Sequence, residues 1–347
     1  MRRGLISRSL AELPDAVLDA RIARLRTAMA DLDALLVYTN NTRTAGVSWL
    51  TGFVPYWSEA LLVLPREREP VLVVALTYRV KSWIERTSRV AEVIHTPRIG
   101  LEAGRMLAGW KADAAVGIVD LEGLSAGIVD DLRAGGARLA LSDATLLFAR
   151  LRAAADPADI ALAVQAASIA RQALARVPAG GTGLGEIIAA VEGEARALGA
   201  EEIYIAAAPD LARDHRLRRI EGATAPGQAF ALRATVAYKG TWVRLLRTFG
   251  DPACGEAAAA RLAQAVGELP SERGFAGCSS WLVEGCRTAQ PLAPLLGSRV
   301  ADPDPPAPGA LVSVQACFEI DGRPVLAGAP ALLGGRGEAA SLLMPPL

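Results

Sequence analysis

Residues 230–249, FALRATVAYKGTWVRLLRTF, constrain the fold more than any other stretch of the chain. Phe230, Leu232, Ala234, Val236 and Tyr238 alternate with Ala231, Arg233, Thr235, Ala237 and Lys239. That is the period of a half-buried strand. Lys239-Gly240 supplies a turn, and a second strand runs through Trp242 to Phe249. A two-residue loop sets Tyr238 against Thr241 and Arg244 against Thr235, with Arg233 on the diagonal. Diagonal neighbours on one face lie about 7–8 Å apart. The hairpin therefore presents two arginines side by side. Like charges so placed need compensation from water, a carboxylate of the protein or a bound anion.

The chain has 347 residues, more than one ordinary core accommodates, which predicts two domains. Lysine plus arginine equals aspartate plus glutamate, so nothing in the charge points to nucleic acid or a membrane surface. No run approaches the length of a membrane span. The opening MRRGLISRSLAELP lacks the long apolar core of a signal peptide. Four cysteines, Cys254, Cys278, Cys286 and Cys317, form no Cys-x-x-Cys pair, which suits reduced thiols in a cytoplasmic protein. Only two histidines exist, His95 and His215, so a histidine-rich zinc site is excluded by count.

In chain order, residues 15–31 read as an amphipathic helix with Leu18, Ile22, Leu25 and Met29 on one face, capped by Asp15. Apolar runs at 34–38, 60–64, 71–75, 116–120 and 137–141 read as strands, with a helix near 125–133. Strands alternating with helices predict an α/β domain over residues 1–150. Asp156-Pro157 then starts a helix to about Val177, with Ile160, Val164, Ala167 and Leu174 expected on its buried side. Gly181, Gly183 and Gly185 lack the spacing and the preceding strand of a phosphate loop. They predict a helix–helix turn capped by Thr182. A strand over 202–208, the hairpin and a helix over 255–269 follow. His95 is expected at a strand end.

Five ordered segments resemble those of the pita-bread metallopeptidases and their relatives, the aminopeptidase P, prolidase, methionine aminopeptidase and creatinase group. They are residues 33–53 (DALLVYTNNTRTAGVSWLTGF), 151–174, 237–249 (AYKGTWVRLLRTF), 279–287 (SSWLVEGCR) and 308–318 (PGALVSVQACF). The resemblance implies a creatinase-like N-terminal α/β domain followed by an α+β pita-bread domain over residues 151–347. The short interval between the hairpin and residue 279 implies that this second domain has lost a helix. The resemblance also implies a homodimer.

In that family, two aspartates, a histidine and two glutamates hold two metal ions that activate water. Carried over by position, the aspartates fall on Arg233 and Arg244, the histidine on Ser280, and the glutamates on Gln315 and near Gly328. A further active-site histidine falls on Arg287. Guanidiniums stay charged and repel dications, so no metal and no cofactor is expected.

Two classes of function remain open. One is a metal-independent, creatinase-like enzyme acting on a small anionic, amino-acid-like substrate, in C–N hydrolysis or a related lyase or rearrangement step. His215 would then shuttle protons, oriented by Asp214 or Asp210. Arg233, Arg244 and Arg287 would clamp the anion, and Ser280, Gln315 and Trp57 would line the site. The other is a catalytically inactive relative that binds a ligand or protein partner, its arginines neutralised by acids such as Glu284, Glu319 or Asp321.

Overall fold

The computed structural model of the protein describes residues 8, 10–41, 43, 45–55, 57–178, 183–220, 223–269, 275, 277–286, 307–335 and 338–344. The chain divides into two compact units, Met1–Arg152 and Ala153–Leu347.

The first unit runs α1 (Asp15–Ala28), β1 (Ala34–Asn40), α2 (Ala45–Thr51), β2 (Glu59–Pro65), β3 (Val71–Val74), α3 (Lys81–Thr87), β4 (Glu92–His95), α4 (Ile99–Trp110), β5 (Ala115–Val119), α5 (Ala126–Gly135), β6 (Ala140–Asp143) and α6 (Thr145–Leu151). Its six strands form one mixed sheet in the order β4-β3-β2-β1-β5-β6. Leu35, Val37 and Leu62 pack on one face against Ile22, Leu25 and Phe148, while Leu36, Leu61 and Val63 pack on the other against Ala103, Leu107 and Leu132. Strands covered on both faces read as unbroken apolar runs, which is why these were legible as short buried segments. Asp15 does not cap α1: Pro14 is the cap residue, and the Asp15 carboxylate pairs with Arg8. His95 ends β4 with its Nδ1 2.9 Å from the carbonyl oxygen of Leu76.

The second unit contains α7 (Pro157–Leu174), α8 (Leu184–Ala197), β7 (Glu202–Ala208), β8 (Phe230–Tyr238), β9 (Thr241–Phe249), α9 (Pro252–Gly267), β10 (Cys278–Gly285), β11 (Leu311–Ile320), β12 (Arg323–Leu332) and β13 (Ser341–Leu342). Asp156 caps α7 in a reciprocal capping box with Asp159, ahead of Pro157. Ala167 and Leu174 are buried as expected and Ile160 packs partly buried against the core, whereas Val164 is 37% exposed. The buried face also carries Leu162, Ala163, Ala166, Ile169, Ala170 and Ala173, and its many small side chains let the helix lie close to the sheet. The α8 helix begins after Gly183, and Thr182 lies outside the described residues.

The main strand order of the second sheet is β10-β11-β12-β9-β8-β7. It consists of two antiparallel meanders, β7-β8-β9 and β10-β11-β12, each continuous in sequence order. Tyr238 pairs with Thr241 around a two-residue turn in which Lys239 and Gly240 both have positive φ, 48° and 77°. Asp321-Gly322 makes the corresponding turn between β11 and β12, also with positive φ at both residues. Among the described residues the two meanders join through one register pair, Gly328–Leu246. Thr248 reinforces that seam: its hydroxyl donates to the Leu326 carbonyl at 2.9 Å and accepts from the Leu326 N–H at 3.0 Å. One face of this sheet carries the main core with α7, α8 and α9. The other face carries the candidate site.

Candidate anion site on the second sheet

Antiparallel pairing puts opposite residues on the same face. The register therefore defines three adjacent rows across the helix-free face. One holds Ala206, Arg233, Leu246, Gly328, Gln315 and Leu282. The next holds Tyr204, Thr235 and Arg244, with Pro330, Ser313 and Glu284 continuing it beyond the seam. The third contains Ala208, Ala231 and Thr248, and then Leu326, Cys317 and Ser280. The strand register thus places Arg233, Arg244, Gln315 and Gly328 together in two neighbouring rows, with Ser280 in the row beside them.

Four side chains form a ladder across the seam. Arg244 Nε lies 3.0 Å from Glu284 Oε1, an ion pair rather than an aligned hydrogen bond. Gln315 donates through Nε2 to Glu284 Oε1 at 3.2 Å, and Arg233 donates through Nη1 to Gln315 Oε1 at 3.3 Å. Strands lie about 4.8 Å apart, so each arginine stretches over two intervening strands to reach its partner. Gly328 makes this possible. A Cβ there would stand 2.9 Å from Gln315 Cγ and 3.1 Å from Leu246 Cβ.

Arg233 is 1% exposed and Arg244 0%. Burial, then the neighbouring Arg244 cation, pulls the Arg233 guanidinium down to about 10, with Glu284 opposing. Arg233 therefore remains cationic at neutral pH. Burial pushes the Glu284 carboxyl above its ordinary range, against the pull of both arginines and of the Gln315 hydrogen bond. Glu284 thus faces both guanidiniums, and a second buried carboxylate, Glu202, lies in the next row of the same face and accepts from the Tyr204 hydroxyl. The hydroxyls of Thr235, Ser280 and Ser313 are buried and make no hydrogen bond among the described residues. Thr235 stands directly opposite Arg244, and Ser313 opposite Glu284. The two-residue turn already placed Thr235 beside Arg244 in the sequence. Ser313 carried no such signal, because its place depends on how the two meanders meet.

The donor set does not fit a pair of dications. The positions hold two guanidiniums, an amide, a hydroxyl and a glycine. Among the described residues no three histidine, cysteine or carboxylate side chains come together.

His215 lies in the segment after β7. This segment returns to pair Arg218 with Ala207 at the sheet edge and buries Leu211 and Leu217 against the site face. His215 is half-buried and forms no hydrogen bond or ion pair among the described residues. The aspartates expected to orient it are engaged elsewhere. Asp214 accepts from Arg216 Nε at 2.9 Å and from Arg218 Nη1 at 3.1 Å, while Asp210 pairs with Arg213 at 3.3 Å. The Arg216 hydrogen bonds hold the Asp214 carboxyl at about 2. Trp57 belongs to the first unit and is 50% exposed. Arg287 lies outside the described residues. Cys254, Cys278, Cys286 and Cys317 are all free thiols, and no described helix is long and apolar enough to cross a membrane.

Comparison with known proteins defines the class. Residues 21–154 match the family model of the creatinase/prolidase N-terminal domain. X-Pro aminopeptidase from Thermotoga maritima MSB8 superposes with a TM-score of 0.69 at 14% identity, over 94% of this chain and 98% of that one. Prolidase from Pyrococcus horikoshii OT3 gives 0.67 at 16% identity, over 93% and 97%. The N-terminal domain of the FACT complex subunit SPT16 from chickpea gives 0.59 at 14% identity, over 94% and 96%. No curated protein matches the chain. The protein thus consists of a creatinase/prolidase N-terminal domain and a second sheet domain in the prolidase-like pita-bread architecture. Among the described residues α9 is the one helix between β9 and β10.

Proposed function

We propose that the second domain binds a small anionic, amino-acid-like ligand at Arg233 and Arg244, without a metal ion. The observation that carries this reading is the pair of buried guanidiniums on the helix-free face, set beside the buried hydroxyls of Thr235, Ser280 and Ser313, which find no hydrogen-bond partner among the described residues. A ligand carboxylate suits such a face, because arginine is the side chain that clamps this group bidentately. Thr235, Ser313 and Ser280 supply hydroxyls and Gln315 an amide beside it. Glu284, the most exposed member of the ladder at 14%, marks the side of approach.

Binding is supported better than catalysis. A creatinase-type reaction needs His215 as an oriented acid and base, and Asp210 and Asp214 are already taken by arginines. One structural neighbour is described as a subunit of a complex rather than as a peptidase, which suits a fold used for recognition. A homodimer and a cytoplasmic setting belong to this reading.

Calorimetric titration with malonate and with N-substituted amino acids at fixed ionic strength tests it. Wild type binds at least one of them, and the variant carrying Arg233→Ala and Arg244→Ala binds none. Wild-type protein indifferent to every small carboxylate defeats the proposal. Stoichiometric manganese, cobalt or zinc in the second domain by elemental analysis defeats its metal-free part.

A further inference from the structure

The first unit offers a second, independent place for an anion. A crevice of about 260 Å³ lies between the 66–70 turn and the C-terminal end of α4. Its polar lining is Asp33, Arg66, Glu67, Arg68, Trp110 and Lys111. Asp33 is fully engaged: it accepts from Lys111 Nζ at 2.8 and 2.9 Å and from the Ala115 N–H at 2.8 Å. These hydrogen bonds hold its carboxyl below the ordinary range. Arg68 lies over the Trp110 ring, 5.6 Å from its centroid. That leaves Arg66. Its Nε and Nη2 are shielded from solvent and have no hydrogen-bond partner among the described residues. These two nitrogens form one edge of the guanidinium, the edge that matches two oxygens of a carboxylate or phosphate. A charged donor pair withheld from water without an acceptor costs stability. The lining carries three cations and two carboxylates, one of which is spent on Lys111.

We infer that this crevice is an oxyanion-binding site, with Arg66 as the bidentate clamp and Lys111 as a nearby point charge. Its ligand is a small molecule bearing a phosphate or carboxylate. Trp110 offers an apolar face to the rest of that molecule once Arg68 swings aside.

The full-length protein carrying Arg233→Ala and Arg244→Ala, which removes the proposed site in the second domain, is titrated calorimetrically at constant ionic strength. The probes are inorganic pyrophosphate and malonate. Binding of either supports the site, and the probe preferred identifies phosphate or carboxylate as the ligand group. Arg66→Lys, which keeps the charge and loses the fork, weakens binding at least tenfold with an unchanged far-UV spectrum. In wild type, the same probe slows amide exchange across residues 65–70 and 107–114, a readout that does not depend on any variant folding. No exchange protection there overturns the inference, as does equal affinity of the parent and Arg66→Lys proteins.

Discussion

Arg233 and Arg244 occupy adjacent rows of one sheet face, yet they are not energetically equivalent. Arg244 holds the carboxylate of Glu284, whereas Arg233 donates to the neutral amide of Gln315. Removing one member of a buried ion pair leaves the other charge uncompensated and costs roughly 3–5 kcal/mol. Arg233 is disfavoured by burial and by the neighbouring Arg244 charge, and its removal relieves both. Arg244→Met is therefore expected to lower stability by about that amount. Arg233→Met leaves the melting temperature unchanged or raises it, while abolishing ligand binding. Chemical denaturation of both variants, followed by titration with the same carboxylates, checks the asymmetry. A large loss of stability in Arg233→Met would show that its charge serves the fold rather than a ligand. The physical signature of a binding site here is that trade: a residue that weakens the empty protein and is retained.

The segment between β7 and β8 is tied down by its own charges. Asp214 accepts from the backbone and side chain of Arg216 and from Arg218, and its carboxyl sits at about 2 against an ordinary 3.8. A folded value below the unfolded one gives stability that is present above 3.8 and lost as pH falls toward 2. Asp214→Asn should cost about 1 kcal/mol or less at neutral pH, because the group is partly exposed. The gap from wild type should narrow across that acid window, as thermal melts at stepped pH would show. A pH-independent difference would mean that Asp214 acts by shape alone.

At this scale the sequence was most informative where turn chemistry and alternation agree. The β8–β9 hairpin, its register and the Arg233–Arg244 adjacency all follow from alternating residues around Lys239-Gly240. Asp321-Gly322 carries the same kind of signal for β11 and β12. On α7 only Val164 was misplaced, because alanine gives a weak apolar signal although small size is what close helix–sheet packing selects. The choice of Glu284 as the partner of Arg244 was not legible. It depends on two meanders meeting, and nothing local states the order of strands. For His215 the sequence identified the residue type but not its surroundings, since the loop arginines that claim Asp210 and Asp214 looked like ordinary solvated charge.

For the whole molecule, the prolidase-like architecture goes with a second-sheet face that carries two buried arginines. A fold can carry such a face because the elements that build the sheet are alternation, turns and an alanine-rich helix face. None of these depends on what the few residues pointing away from the core happen to be.

The seam between the meanders has a kinetic consequence. Each meander is assembled from strands adjacent in sequence, but the bonds that join them link residues 78 positions apart. Local pairings close cheaply and distant ones slowly. The seam therefore forms last, after the transition state, and its contacts act as a brake on unfolding. Thr248→Val, which strips both hydroxyl bonds to Leu326, should accelerate unfolding several-fold while leaving the folding rate nearly unchanged. Stopped-flow denaturant jumps separate the two limbs, and a slowed folding limb would place the seam in the nucleus instead. The Arg244–Glu284 pair spans the same line, so this ion pair also bears on how long the folded sheet persists.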